Sequence, residues 1–261
     1  MTLYLPMPIK KATGWKILLS VLAVTIMGML GFVVYEWLME RKAQFIRYEA
    51  FGIDIPVNYS IHGIDVSRYQ NIVDWESVKN MKVETIQISF AFIKATEGLR
   101  NEDIYFKRNW KKAKDAGLAR GAYHFFLASK SGRQQAENFI KRVKLEPGDL
   151  PPVLDVEQTY GVPGPKLRER LKEWLDVVEE YYGIRPIIYT NVDFYRQNLK
   201  DEFDDYPLWV AHYLQKHRPR IHREWLFWQH NETGRVNGIG APVDFNVFNG
   251  DSTKFAELLV R

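Results

Sequence analysis

From Ile17 to Tyr35 the chain reads ILLSVLAVTIMGMLGFVVY, nineteen residues without a charge. No other stretch restricts the fold as strongly. As a helix rising about 1.5 Å per residue, the run covers roughly 28 Å, close to the hydrocarbon thickness of a bilayer. A helix that is apolar on every face suits lipid better than the surface of a soluble domain. Trp15 and Trp37 bracket the run, where indole rings favour the membrane interface. A cleaved signal peptide has a shorter apolar region, about 7–15 residues, followed by a small-x-small site. The segment Phe32-Val-Val-Tyr-Glu-Trp37 offers no such pair. The expectation is an uncleaved transmembrane anchor over residues 17–37. Lys10, Lys11 and Lys16 precede it, whereas Glu36 and Glu40 offset Arg41 and Lys42 behind it. The positive-inside rule then leaves residues 1–16 in the cytoplasm and the bulk of the chain outside it. Residues 38–60 read as a short charged stalk.

After Ser60 short apolar runs alternate with amphipathic stretches. Strands are expected at Ile61–Val66, Thr85–Ala95, Ala119–Leu127, Pro152–Val156 and Arg185–Thr190. Helices fall between them. One is capped by Asp74, one runs from Asn101 to Ala116 and stops at Gly117, and one starts at Ser131 with Gln134 in a capping-box pattern. A further helix begins near Pro165 and ends at Gly183, with Leu167, Leu171, Trp174, Leu175 and Val178 at helical spacing. Beyond Thr190 the helices shrink to a short one at Asp193–Lys200. Leu208–Tyr213, Trp225–His230 and Val243–Val247 read as strands, and Asp251–Val260 closes the chain as a helix. Repeated strand–helix units over this length predict an α/β fold, an irregular barrel of the TIM type spanning residues 61–261.

Composition removes several kinds of chemistry. The chain has no cysteine, so disulfides, thiol catalysis and thiolate metal sites are excluded. Positions 41–261 hold 33 basic and 30 acidic residues, too diffuse a balance for a nucleic-acid partner. No glycine loop of the phosphate-cradling kind appears, and no His/Asp set has metal-ligand spacing. Neither a cofactor nor a metal is expected. His124 and His212 stand beside aromatic residues on strands and read as structural.

In a parallel barrel functional groups gather where the strands end. Asp65 ends the first strand, Lys94 and Glu97 the second, Asp155 and Glu157 the fourth, Tyr189 the fifth and Gln229 the seventh. Tyr123 lies in the third strand, Trp209 and Tyr213 in the sixth, and Asp244 in the eighth. Four carboxylates, Asp65, Asp155, Glu157 and Asp244, thus converge on one mouth. Asp155 and Glu157 flank Val156, so both leave the strand on one face, roughly 7 Å apart at their bases. Crowded acids raise one another's pKa, so one keeps its proton while another ionises. That division suits glycosidic cleavage, where one carboxylic acid protonates the leaving oxygen and another carboxylate stabilises the cationic sugar. On spacing alone a solvated strand end fits the pair equally well.

The ordered set of blocks decides more. GIDVSRYQ (Gly63–Gln70), FAFIKATEG (Phe90–Gly98), GAYHFF (Gly121–Phe126), PVLDVE (Pro152–Glu157), PIIYT (Pro186–Thr190), LWVAHY (Leu208–Tyr213), WQ (Trp228–Gln229) and VDFNVF (Val243–Phe248) resemble the family 25 glycoside hydrolases, the Chalaropsis-type lysozymes. The resemblance spans about residues 61–260. It implies a barrel of five strand–helix units and three further strands, and an N-acetylmuramidase cutting the β-1,4 bond from N-acetylmuramic acid to N-acetylglucosamine. Peptidoglycan glycan strands are the implied partner, and a bacterial cell membrane the implied location. Glu157 matches the family's proton donor. Asp155 matches its partner, either a nucleophile or the group that orients a participating 2-acetamido group. Asp65 and Asp244 match supporting carboxylates. With the resemblance, Tyr123, Tyr189, Trp209, Tyr213 and Gln229 become candidate glycan contacts. Lys94 either binds a substrate carboxylate or neutralises the acids. Two acids on one side of the sugar disfavour an inverting scheme, which needs room for water on the opposite face. A chitinase-like glycosidase would need aspartates where Leu150 and Val153 stand. A membrane-tethered, non-catalytic glycan-binding protein remains the alternative from another class.

Overall fold

The computed structural model of the protein describes residues 12–40, 44–213, 215 and 218–261. The chain divides into two compact units, with the boundary between Ala43 and Gln44. The first holds one helix, α1 (Ala12–Glu40). Within it Gly14–Tyr35 has a mean hydropathy of 2.6 and is long and apolar enough to cross a membrane. Its large apolar side chains, from Trp15 to Tyr35, are exposed all round the helix. Lys10, Lys11, Arg41 and Lys42, on which the expected orientation leans, lie outside the described residues.

The second unit opens with an antiparallel hairpin, β1 (Phe45–Tyr48) and β2 (Ile53–Pro56), where a stalk was expected. The reason is apolar cover. Phe51, Ile53 and Ile55 are fully buried, and Phe51 meets Phe245 edge-on at 5.5 Å. The hairpin tip is tied down by Arg235 N–H donating to the Phe51 carbonyl at 2.8 Å. It is part of the globular unit rather than a spacer.

The barrel strands follow in chain order. They are β3 (His62–Val66), the two-residue β4 (Lys82–Val83), β5 (Ile86–Glu97) and the two-residue β6 (Asn101–Glu102). After these come β7 (Ala119–Phe125), β8 (Val153–Asp155), β9 (Ile187–Asn191), β10 (Leu208–Ala211), β11 (Phe227–Gly234) and β12 (Val243–Phe248). Strands β3, β5, β7, β8, β9, β10 and β11 run parallel in that order. The antiparallel β12 bridges β11 to β3 and closes a ring of eight. Helices α2 (Trp75–Asn80), α3 (Phe106–Asp115), α4 (Gly132–Arg142) and α5 (Gly164–Tyr182) cover the first strands. The next connection shrinks to α6 (Val192–Phe194) and a π turn (Tyr195–Leu199), and α7 (Ser252–Leu258) ends the fold. Asp74 and Ser131 cap as expected, and Gly183 closes α5 at φ +66°. The helix expected from Asn101 starts instead at Phe106, because Asn101 and Glu102 pair with Glu97 and Thr96.

Period-2 alternation sends one set of side chains inward. Phe90, Phe227 and Phe248 fill the lower barrel, closed off by Phe255 of α7. Phe92 and Trp209 stack at 4.2 Å above them. Two glycines make room for these rings: a Cβ on Gly63 would lie 2.4 Å from the Phe90 ring, and one on Gly121 2.4 Å from Phe92. The aromatic floor sets the depth at which the polar layer begins.

Candidate active site

One step further along the strands the interior turns polar. Asp65 of β3 lies opposite Asp244 of β12 in the antiparallel register. The Asp65 Oδ2 accepts from Gln229 Nε2 at 2.8 Å and from Asn246 Nδ2 at 2.7 Å. Burial raises the pKa of both aspartates. The amide donors and Asp244 hold Asp65 to about 6, whereas burial and the Asp65 charge push Asp244 up to about 9. At neutral pH Asp244 therefore keeps its proton and shares it with the Asp65 carboxylate.

Gln229 carries the network toward β9. Its Oε1 accepts from the Tyr189 hydroxyl at 2.7 Å and from the Tyr213 hydroxyl. Two phenol donors on one side and a carboxylate on the other leave a single sensible amide orientation. Asn246 is fixed in the same way, donating to Asp65 and accepting from Trp209 Nε1 at 2.7 Å. Trp209 is only 2% exposed. With Phe92 and Tyr189 packed on it, it supports Asn246 from below instead of presenting a face to the mouth.

Asp155 and Glu157 occupy the opposite side. Asp155 ends β8 between Phe125 and Tyr189 in register and is 6% exposed. Among the described residues its Oδ1 has no hydrogen-bond partner. Burial, then the Glu157 charge, push its pKa well above the carboxylate range, with Lys94 opposing. Glu157 follows the strand and is half-buried. Burial raises its pKa, against the Tyr189 hydroxyl and the Lys94 ammonium. A glutamic acid that keeps its proton beyond the usual range is suited to general-acid work.

The Lys94 charge opposes the rise of both acids, and part of it is committed: Nζ lies 2.7 Å from Glu97 and 4.6 Å from the centre of the Phe125 ring. Tyr123 is 9% exposed, and its phenol is raised by burial and then by Asp65, Asp155 and Asp244, which places it among the carboxylates. The structure thus gathers Asp65, Lys94, Tyr123, Asp155, Glu157, Tyr189, Tyr213, Gln229 and Asp244 at one mouth, and sets Trp209 beneath it. Sequence reading missed Asn246. Its signal was present, since it stands two residues after Asp244 and shares that inward face. The histidines stay out of the site: His124 is buried on the outer face with Thr96 Oγ1 and Gln135 Oε1, and His212 Nδ1 accepts from Arg220 N–H.

A closed α/β barrel whose carboxyl-end mouth pairs a half-buried glutamate of raised pKa with buried aspartates has the form of a barrel glycosidase. The sequence model described as "Glycosyl hydrolases family 25" matches residues 64–239, and the chain belongs to that family. Lysozyme M1 of Streptomyces globisporus is 34% identical over 217 residues, covering 76% of this chain and 71% of that protein. An uncharacterized protein of Escherichia coli K12, YegX, is 49% identical over 202 residues, 77% of this chain and 74% of that one. Among solved structures, the lysozyme of Streptomyces coelicolor superposes with a TM-score of 0.70 at 33% identity, covering 76% of this chain and 96% of its own. The protein is a glycoside hydrolase of the lysozyme type.

Proposed function

We propose that the protein is a membrane-anchored N-acetylmuramidase that hydrolyses the β-1,4 bond between N-acetylmuramic acid and N-acetylglucosamine in peptidoglycan. The observation that carries this reading is the pairing of Glu157, its pKa raised by burial, with the buried Asp155 two residues before it. Glu157 protonates the leaving glycosidic oxygen. Asp155 faces the reacting sugar from the same strand and orients its 2-acetamido group, whose oxygen closes on the anomeric carbon. The C–O bond to the leaving sugar breaks as that ring forms. Glu157, now a carboxylate, takes a proton from water that opens the ring, and the configuration is retained. Asp65, Asp244, Asn246 and Gln229 hold the remaining wall of the mouth, with Tyr189 and Tyr213 fixed on Gln229. Lys94 moderates the charge of both acids.

Anchoring by α1 would tether this activity to the envelope, with the amino terminus in the cytoplasm and the barrel facing the periplasm or cell exterior. Length and hydropathy of Gly14–Tyr35 support the anchor, and Lys10, Lys11 and Lys16 support the orientation.

Digestion of purified peptidoglycan by the detergent-solubilised protein, followed by borohydride reduction, tests the reading. Muramicitol ends are expected, and NMR of the unreduced products should show the reducing end first formed as the retained anomer. Glucosaminitol ends would mean a different bond, and binding without new ends a glycan-binding protein. Activity should fall as pH rises through the raised Glu157 pKa, where the acid form is lost.

A further inference from the structure

Two residues beyond Glu157 the chain enters a tight turn, closed by Val162 N–H donating to the Thr159 carbonyl at 2.9 Å. Its two central residues both have positive φ, Tyr160 at +50° and Gly161 at +72°. Turns of that form ordinarily carry Asn-Gly or Gly-Gly, because a side chain with a Cβ is strained there. A bulky tyrosine in that position is an outlier, and strained residues of this kind cluster at active sites and ligand clamps. Packing does not account for this one, since Tyr160 remains 44% exposed. It nevertheless stands close to the chemistry: after burial, the charges of Glu97, Asp155 and Glu157 are what raise its phenol. The turn thus spends backbone strain to hold an open aromatic face at the lip of the acidic mouth.

We propose that Tyr160 is a substrate-binding residue whose ring stacks on the apolar face of the N-acetylhexosamine next to the scissile bond. A pyranose presents axial C–H groups on one face, and an aromatic ring beside carboxylates offers it an apolar surface with a polar tip. The turn that positions the ring begins two residues after Glu157, so glycan and acid are brought into register by one short segment. The inference rests on the muramidase reading for the identity of the sugar.

The test separates ring from turn. Tyr160→Gly removes the ring and suits the positive φ, whereas Tyr160→Phe keeps the ring. Tyr181→Ala is the control, removing a tyrosine that is 52% exposed on α5. Kinetics of the full-length protein on peptidoglycan are expected to show KM raised about five- to tenfold in Tyr160→Gly. The kcat should stay within about twofold and Tm should be unchanged or higher. Tyr160→Phe and Tyr181→Ala should match the wild type. A wild-type KM in Tyr160→Gly, or a fall in Tm with loss of the ring, overturns the proposal. If the wild type releases no reducing ends, the muramidase reading fails separately. Retention on insoluble peptidoglycan then decides: weaker retention of Tyr160→Gly supports the stacking role, and equal retention, or none by the wild type, overturns it.

Discussion

At the amino-terminal end of the barrel, Arg120 reaches from β7 to Asp149 at 2.7 Å, with both side chains only 3% exposed. Its guanidinium also lies 2.7 Å from Glu146 and sits over the Trp110 ring at 3.9 Å. At the carboxyl-terminal end, Asp65, Asp155, Glu157 and Asp244 crowd one another while Lys94 is shared with Glu97. One end holds its buried acid with a matched cation and forked hydrogen bonds. The other leaves its acids under-compensated, with Asp155 Oδ1 unpartnered among the described residues and Asp244 holding a proton at neutral pH. Paired charge serves the fold, and unpaired charge stores a protonated acid beside an ionisable one. The same residue type therefore has opposite meaning at the two ends.

Substitutions at each end should move stability in opposite directions. Arg120→Met strands a buried Asp149 and is expected to cost about 3–5 kcal/mol. That corresponds to a fall in Tm on the order of 10 °C by thermal denaturation. Its folded fraction should keep the wild-type kcat, and a Tm within about 2 °C of wild type would remove the contrast. Asp155→Asn is expected to do the reverse, since it relieves repulsion with Glu157 and the cost of burying a charge. Stability should rise by about 1 kcal/mol while the release of reducing ends falls by roughly 10²-fold or more. An Asp155→Asn protein that is both less stable and fully active would show that the mouth is held together like the base.

The acidic end was largely legible in the sequence and the Arg120–Asp149 end was not, and the limits have physical causes. Alternation across Asp155-Val-Glu157 and across Asp244-Phe-Asn246 fixes which side chains face inward. The strand order then brings the ends of β3, β8, β11 and β12 to one mouth. Partners across strands are another matter. That Asn246 and Gln229 both donate to Asp65 depends on the register of β12 and β11, a contact between residues more than 160 positions apart. Depth is equally hidden: periodicity points Trp209 inward, but only the Phe92 and Tyr189 rings packed on it show that it lies under the site. The hairpin at Phe45–Pro56 read as stalk because each strand has four residues and Arg47, Glu49 and Asp54 dilute the pattern. Its apolar residues find cover on β12 and β11, with Phe51 against Phe245 and Phe45 against Trp228, more than 180 positions away.

In this mechanism the Glu157 proton drives bond cleavage, and the fold does not need the Glu157 charge. Glu157→Gln, assayed on peptidoglycan with Tm measured on the same sample, tests both halves at once. The release of muramic-acid reducing ends is expected to fall by about 10³-fold, with Tm equal to or above the wild type. Turnover within about threefold of wild type would contradict it, because a catalytic general acid contributes on the order of 10²–10⁴-fold.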